Sequence, residues 1–338
     1  MARVRLEDVA RHAGVSMKTV SNVINDFPHV SEKMRERVQR SIDVLGYRPN
    51  AMGRGLATGR TGLLALAFAD VSLPYFAELA RVLSAEAGRR GYRLLLEQTD
   101  GTIEEERAVV SSTEAGLVDG VLFQPSVISG LELAQHRADV PVVLLGEGPA
   151  PLSLDRVMID NVEAATRATA HLAGLGRSRI AFFGHEIDSP SPTSRLRLMG
   201  YQRGLEEADL PLDMALLIPS LEISARGASA SLGAALDEGL RFDGLVCRDD
   251  LAAIGALRAL QERGLRVPED VAIVGWDDIS MASFTHPTLT SVAPDTLELS
   301  RTALDLLEER IAGFDGLGRH RLVSFSLVTR ESAPARPR

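Results

Sequence analysis

The stretch Leu6-Glu-Asp-Val-Ala-Arg-His-Ala-Gly-Val-Ser-Met-Lys-Thr-Val-Ser-Asn-Val-Ile-Asn25 decides how the chain is read. Leu6, Val9, Ala10 and Ala13 recur at helical spacing, Gly14 interrupts them, and Val20, Val23 and Ile24 mark a second short apolar face. Two short helices joined through Gly14-Val15-Ser16 predict a helix-turn-helix. Glycine supplies the positive φ of such a turn, and Ser16 is placed to cap the second helix by accepting a backbone N–H. Farther out, Met34, Val38, Ile42 and Leu45 form a third, longer stripe, capped by Ser31 and stopped by Gly46. A unit of this kind lays its second helix in the major groove of DNA, with that helix's first turn facing the base edges.

Charge divides the chain at the same place. Residues 1–60 hold 11 Lys/Arg against 6 Asp/Glu, a net +5, whereas the remainder holds 26 against 40, a net −14. A basic head on an acidic body implies a polyanionic partner for the head alone.

This segment resembles the DNA-binding signature of the LacI family, whose core reads D-V-A-x-x-A-G-V-S-x-x-T-V-S-x-V-x-N. The match continues through Val30-Ser31, Arg37-Val38 and Leu45-Gly-Tyr-Arg-Pro-Asn-Ala51. The resemblance implies that Met17, Lys18 and Asn22 read bases, Lys18 by donating to guanine O6/N7 and Asn22 by pairing with adenine. It places Ser16, Thr19, Ser21, Asn25, His29 and Ser31 for phosphate contacts, which orient without specifying. Arg5 stands where the family usually has a Ser or Thr cap, a loss of about 1 kcal/mol in helix stability.

Residues 49–60 make a poor helix, since Gly53 and Gly55 each cost about 1 kcal/mol against alanine and a helix this short is marginal in water. On propensity alone the segment is a linker. The resemblance implies a hinge helix that folds when a dimer meets its operator, with Asn50, Ala51, Arg54 and Leu56 at the minor groove. Leu56 there acts as an apolar wedge that kinks the duplex.

After Arg60, short apolar runs alternate with amphipathic stretches. Leu63–Ala69, Tyr92–Gln98, Gly120–Gln124 and Val142–Leu145 read as strands, with helices at Tyr75–Arg90 and Ile103–Ala115. A second series runs from helix Val162–Leu175 and strand Arg179–Phe183, through helix Arg195–Ala208 and strand Gly244–Cys247, to helix Leu251–Gly264 and strand Val271–Gly275. Two such series predict two doubly wound, parallel-sheet lobes, with ligands beyond the carboxyl ends of the strands. Asp160-Asn161, Arg195–Tyr201, Asp249–Leu260, Gly264–Asp278 and Pro287–Thr290 resemble motifs of the family's periplasmic-binding-protein-like core. The expected organisation is an all-α head at 1–48, a hinge at 49–60 and an α/β core at 61–338. Its N-lobe takes about 61–160 and 292–322 and its C-lobe about 161–291 and 323–331, with crossings near Asp160, near Ser291 and before Val323.

By the resemblance, Arg197, Asp249 and Asp277 contact an effector. Carboxylates accept from vicinal sugar hydroxyls, and arginine donates to ring or hydroxyl oxygens. Asp70, Ser72, Tyr75 and Phe76 form one pocket wall, Trp276 and Phe76 face a sugar's apolar side, and Gln124 and Asp160 complete the set. Many relatives have Asn-Asp where this chain has Asp249-Asp250, and the extra carboxylate favours a hydroxyl-rich or cationic ligand over an anion. Glu147 and Glu222 replace positions often Arg or aromatic, and Ser191 replaces an arginine of the purine-binding relative.

With 338 residues, 45% hydrophobic, the chain can bury a sizeable core. Apolar runs such as Leu63–Ala69 are too short to cross a bilayer, and the charged N-terminus lacks a signal peptide's apolar region. The single cysteine, Cys247, excludes an intrachain disulfide framework and a multi-cysteine metal site. No Walker loop, G-x-S-x-G elbow or H-E-x-x-H pair is present, Gly53-x-Gly55 follows no strand, and His171, His185 and His286 are isolated. A transport-type binding protein would leave residues 1–60 without a role. These observations lead us to expect a cytoplasmic repressor, not an enzyme, with no cofactor, metal or membrane partner. It is expected to bind palindromic operator DNA as a homodimer, without a coiled-coil tetramerisation tail, under control of a small polar effector such as a sugar.

Overall fold

The computed structural model describes residues 4–24, 27–47, 60–110, 117–135, 140–148, 150–186, 191–220 and 222–335. The chain divides after Gly62 into two units. The first contains α1 (Leu6–Ala13), α2 (Met17–Ile24) and α3 (Glu32–Leu45) around a core of Val9, Ala10, Ala13, Val20, Val23 and Val38. Gly14 has φ 62° and its N–H reaches the Arg11 carbonyl at 3.2 Å, the left-handed stop that makes the turn tight. Ser16 Oγ accepts from the Thr19 N–H at 3.1 Å. At α1 the loss expected from Arg5 is partly offset, because the Arg5 N–H donates to the Asp8 carboxylate at 2.9 Å. Ser31 takes the N-cap backbone conformation of α3, but its side chain makes no cap hydrogen bond and remains exposed, contrary to the capping expected of it.

The second unit is built on two six-stranded sheets. Strands β1 (Leu63–Phe68), β2 (Arg93–Gln98), β3 (Gly120–Phe123), β4 (Val142–Leu145) and β5 (Asp155–Ile159) are joined by β11 (His320–Val323). Their order is β11-β5-β4-β3-β1-β2, with every pair parallel. The continuous apolar runs of β1, β3 and β4 are buried, as strands covered on both faces require. The second sheet contains β6 (Ile180–His185), β7 (Leu217–Pro219), β8 (Gly244–Cys247), β9 (Ala272–Trp276), β10 (Thr290–Pro294) and β12 (Phe325–Val328), ordered β12-β10-β9-β8-β6-β7. In this sheet β12 runs antiparallel to β10, an exception to the expected all-parallel winding.

Helices cover these sheets: α4 (Pro74–Arg89), α5 (Ile103–Val110), α6 (Gly130–Gln135), α7 (Asn161–Gly174), α8 (Pro192–Glu207), α9 (Ala225–Asp237), α10 (Asp250–Glu262) and α11 (Thr296–Ile311). α8 starts a turn earlier than its apolar pattern predicts, because Pro192 occupies the first turn and the Ser191 hydroxyl accepts from the Ser194 N–H at 3.2 Å. α7 and α8 touch backbone to backbone. A Cβ on Gly200 would stand 2.2 Å from the Val162 carbonyl oxygen, so only glycine permits that approach.

The chain leaves the first sheet at Asp160, after β5 ends at Ile159. The second crossing follows Pro294 rather than Ser291, because residues 291–294 pair with β12. The third falls at Ser324, because Val323 still pairs with Ile159 of the first sheet. The lobe limits drawn at 291/292 and 322/323 therefore move by a few residues. These two crossings are tied together, the Asp295 N–H reaching the Ser324 carbonyl at 2.9 Å. None of the helices in the described residues is long and apolar enough to cross a membrane.

Candidate functional site

In the head, packing of Val20 and Val23 against the core turns the opposite face of α2 outward. Met17 and Lys18 are exposed, and Ser21 and Asn22 follow them one turn later, half-buried. Ser16, His29 and Ser31 lie on the surface, and the Thr19 hydroxyl sits 2.9 Å from Ser16 Oγ. His29 packs edge-on against Phe27 at 5.7 Å. Within the head, this arrangement puts donors suited to base edges on one helix face, flanked by small hydroxyls. Asn25 and the hinge residues Asn50, Ala51, Arg54 and Leu56 lie outside the described residues.

In the core, a cavity of about 200 Å³ opens where the carboxyl ends of both sheets meet. Its lining follows from topology, since nearly every polar group in it comes directly after a strand or at the start of the next helix. Tyr75 and Phe76 stand on the first turn of α4, Gln124 follows β3, Glu147 follows β4, Arg248 and Asp249 follow β8, and Asp277 follows β9. Arg197 reaches in from α8. Seven residues anticipated for an effector site thus line one cavity: Tyr75, Phe76, Gln124, Arg197, Asp249, Trp276 and Asp277.

Asp70, Ser72 and Asp160 do not line it. Asp70 turns back on its own loop, accepting from the Ser72 N–H at 2.7 Å and the Ser72 hydroxyl at 2.9 Å, which occupies both residues. Asp160 caps α7 by accepting from the Glu163 N–H at 2.9 Å. Trp276 lines the cavity fully buried, with the Arg197 guanidinium 3.9 Å from its ring centroid. Phe76 stacks on Phe68 at 5.2 Å, with Tyr75 edge-on to it.

Sequence reasoning leaves Arg248, Thr193 and Asn161 out of the site and marks Glu147 only as a departure from its relatives. The signal these four share is position, immediately after a strand or in the first turn of a helix. Arg197 Nε donates to Asn161 at 2.9 Å, and its Nη1 donates to the Arg248 carbonyl. Asn161 in turn donates to Glu147. The other Glu147 oxygen accepts from Thr193 at 2.6 Å, a bond that joins the two lobes across the cavity. Arg248 pairs with Asp249 at 2.9 Å. Asp250 is buried and structural, taking hydrogen bonds from Ser291 at 2.7 Å and the Ile279 N–H at 2.9 Å.

Asp277 differs from its neighbours. Its backbone has φ 97°, and its nearest cation, Arg197 Nη2, is 3.9 Å away. Among the described residues its carboxylate accepts no hydrogen bond. Burial pushes this carboxyl up to about 7; Arg197 and Arg248 oppose the rise, and Asp249 and Glu147 add to it. Burial likewise raises the Tyr75 phenol. The Trp276 Nε1 and Ser194 Oγ atoms are buried without a partner. A carboxylate free of hydrogen-bond donors beside buried, unpartnered donors suits a ligand carrying several hydroxyls. Among the described residues no group of three or more His, Cys, Asp or Glu side chains is arranged to hold a metal.

Residues 5–50 match the family model described as bacterial regulatory proteins, lacI family, and residues 169–333 match a periplasmic binding protein-like domain. The chain is 31% identical over 313 residues to the HTH-type transcriptional repressor PurR of Vibrio atlanticus (strain LGP32), covering 92% of each protein. Among solved structures, the Lac repressor dimer bound to operator and the anti-inducer ONPF superposes with a TM-score of 0.87 at 27% identity, over 99% of this chain and all of that one. The CelR–cellobiose complex, of a transcriptional regulator, superposes with a TM-score of 0.72 at 32% identity, over 98% of this chain and all of that one.

Proposed function

Because this chain belongs to the LacI family of bacterial regulatory proteins, we propose that it is a homodimeric repressor of palindromic operator DNA, released or retained by a small, hydroxyl-rich effector of the sugar class. The observation that carries this reading is the 200 Å³ cavity at the carboxyl ends of both sheets, where Arg197 and Asp277, an ion pair at 3.9 Å, face the same space. That volume is below the ~300–1,000 Å³ of drug-sized sites, so one sugar ring suits it better than a longer chain.

At the DNA, Met17, Lys18 and Asn22 read base edges of a half-site, while Ser16, Thr19, Ser21, Asn25, His29 and Ser31 hold phosphates. A single head covers few base pairs, so two heads related by a dyad read a palindrome. Asn50, Ala51 and Arg54 line the minor groove beside the Leu56 wedge. In the core, an effector that binds one arrangement of the lobes more tightly than the other shifts the spacing of the hinges. Acting on the chromosome, the protein works in the cytoplasm. It needs no cofactor and catalyses no reaction in this scheme.

The test is selection of binding sites from random duplexes by the full-length protein, followed by titration of sugars into the operator complex. Recovery of a dyad-symmetric site whose occupancy responds to one sugar supports the proposal. Failure to prefer any such duplex over random DNA overturns it.

A further inference from the structure

Within the sugar-class reading, on which this inference rests, we propose that the effector carries a positively charged amine: an amino sugar of one ring whose ammonium group docks on Asp277. Charge and hydrogen-bond supply in the cavity argue for it together. Five carboxylates line the space, on Glu147, Glu186, Asp249, Asp250 and Asp277, against two guanidiniums, on Arg197 and Arg248. Leaving out Asp250, whose oxygens are spent on Ser291 and Ile279, four still face two.

The two guanidiniums are already shared among these groups, Arg197 Nη2 standing 3.9 Å from Asp277, and they leave two carboxylates in excess. Arg248 is paired with Asp249. Arg197 lies over Trp276 and directs its Nε and Nη1 to Asn161 and the Arg248 carbonyl. Glu147 is held by the neutral donors Asn161 and Thr193. The Asp277 carboxylate accepts no hydrogen bond among the described residues and meets Arg197 Nη2 at an ion-pair distance of 3.9 Å, so its oxygens are the acceptors left open.

An anionic sugar meets this excess of like charge. A neutral sugar adds no charge of its own against the excess, which then falls to protonation of a carboxyl. An ammonium group removes one unit of it and gives Asp277 a charge-assisted hydrogen bond, about twice as strong as a neutral one. Elsewhere in the cavity the buried and unpartnered Ser194 Oγ and Trp276 Nε1 are donors for ring and hydroxyl oxygens. The ligand that meets both demands has hydroxyls at one side and an amine at the other.

The experiment is calorimetric titration of the full-length protein at pH 7 with glucose, galactose and mannose. Each is supplied as the neutral sugar, the 2-amino-2-deoxy sugar, its N-acetyl derivative and the uronic acid. The expected result is that one amino sugar binds about tenfold or more tightly than its neutral parent. Its acetylated form, with the charge removed, and its uronic acid bind more weakly than the amine, and Asp277→Asn erases the preference while a thermal melt reports folding. If a neutral sugar binds as tightly as its amine, or a uronic acid binds best, the amine assignment falls and the sugar reading stands. An amine preference undiminished in Asp277→Asn overturns the docking on that residue. If none of the twelve binds to a preparation that does bind operator, both the amine and the sugar reading fall.

Discussion

The Arg197 guanidinium lies 3.9 Å from the centroid of the Trp276 ring. A planar cation over an indole face is held by the ring quadrupole as well as by its hydrogen bonds, and burial strengthens the attraction. The stack fixes Arg197 at the junction of Asn161, Arg248 and Asp277. Lysine keeps the charge but loses the plane and the forked donors. Arg197→Lys is therefore expected to weaken effector binding by about 10- to 100-fold, the worth of one or two charge-assisted hydrogen bonds. Trp276 is the single tryptophan, so the variant's intrinsic emission should shift as well. Titration calorimetry with emission spectra checks both. Wild-type affinity would mean that Arg197 does not hold the ligand, and a wild-type spectrum that it does not stack on the indole.

Asp277 makes the site sensitive to pH. Its carboxyl is pushed up to about 7 by burial, against Arg197 and Arg248 and with the help of Asp249 and Glu147. Tyr75 also packs near this group. Below about pH 4 an aspartate is protonated folded or unfolded. Between about 4 and 7 the unfolded chain gives up a proton that the folded one keeps, so this residue makes stability fall as pH rises through that window. Above 7 both forms are ionised and the loss is complete. Ligand binding has the opposite trend, because the ionised form is the better acceptor for a hydroxyl or amine. Asp277→Asn should flatten both profiles, as melting temperatures and effector titrations from pH 5 to 8 will show; slopes equal to wild type would contradict the assignment.

The two halves of the site are not equally legible in the sequence. Strand ends can be located by periodicity, so position and resemblance together pick out Tyr75, Gln124, Asp249 and Asp277, and all four line one cavity. Asp70 and Asp160 occupy equivalent strand-end positions, yet their carboxylates are taken by the Ser72 and Glu163 N–H groups next to them. Asp249 also caps its helix, accepting from the Ala252 N–H at 2.7 Å, and still lines the cavity, so which strand-end aspartate reaches the cavity is set by how the lobes meet, which spacing does not encode. Arg248 and Thr193 escape notice for the converse reason. Each sits beside a residue with a stronger signal, and only the folded chain shows them lining the same space. Likewise β12 is hidden because four residues of an antiparallel edge strand carry too short a pattern to distinguish from a loop.

Thr193 and Glu147 make a hydrogen bond of 2.6 Å between the lobes. Two further cross-lobe bonds join Asn161 to Glu147 and the Ser280 N–H to Glu78, the latter at 2.9 Å. Thr193→Val keeps the shape of the side chain and removes only the hydroxyl. A hydrogen bond to a carboxylate is worth about 1.5–3 kcal/mol, so effector affinity should fall about 10- to 100-fold, with a modest drop in melting temperature. An unchanged dissociation constant would show that the bond does not contribute to closure.

Glu106 is fully buried and holds the turn after Gln124. Its carboxylate accepts from the backbone N–H groups of Ser126 at 2.6 Å, Val127 at 3.1 Å and Ile128 at 2.8 Å. No cation is paired with it in these contacts; the loop's own amides supply its donors. Glu106→Gln keeps the volume but replaces one accepting oxygen with a donor that faces other donors. The expected cost is about 1–3 kcal/mol of folding stability, read as a lower urea midpoint with an unchanged slope. A variant as stable as the parent would mean that water or a shifted loop satisfies those amides.

Lys18 and Ser21 share the exposed face of α2 but differ in expected role. A lysine that donates to guanine discriminates among bases, whereas a hydroxyl on a phosphate only positions the helix. Lys18→Ala should therefore weaken the selected operator by about 10- to 100-fold and relax the preference at one base pair of each half-site. Ser21→Ala should weaken binding to all sequences alike. Anisotropy titrations against the operator and its single-base variants, run at several salt concentrations, separate the two. A loss in Lys18→Ala spread evenly over every variant, with a shallower salt dependence, would move Lys18 from the bases to the backbone.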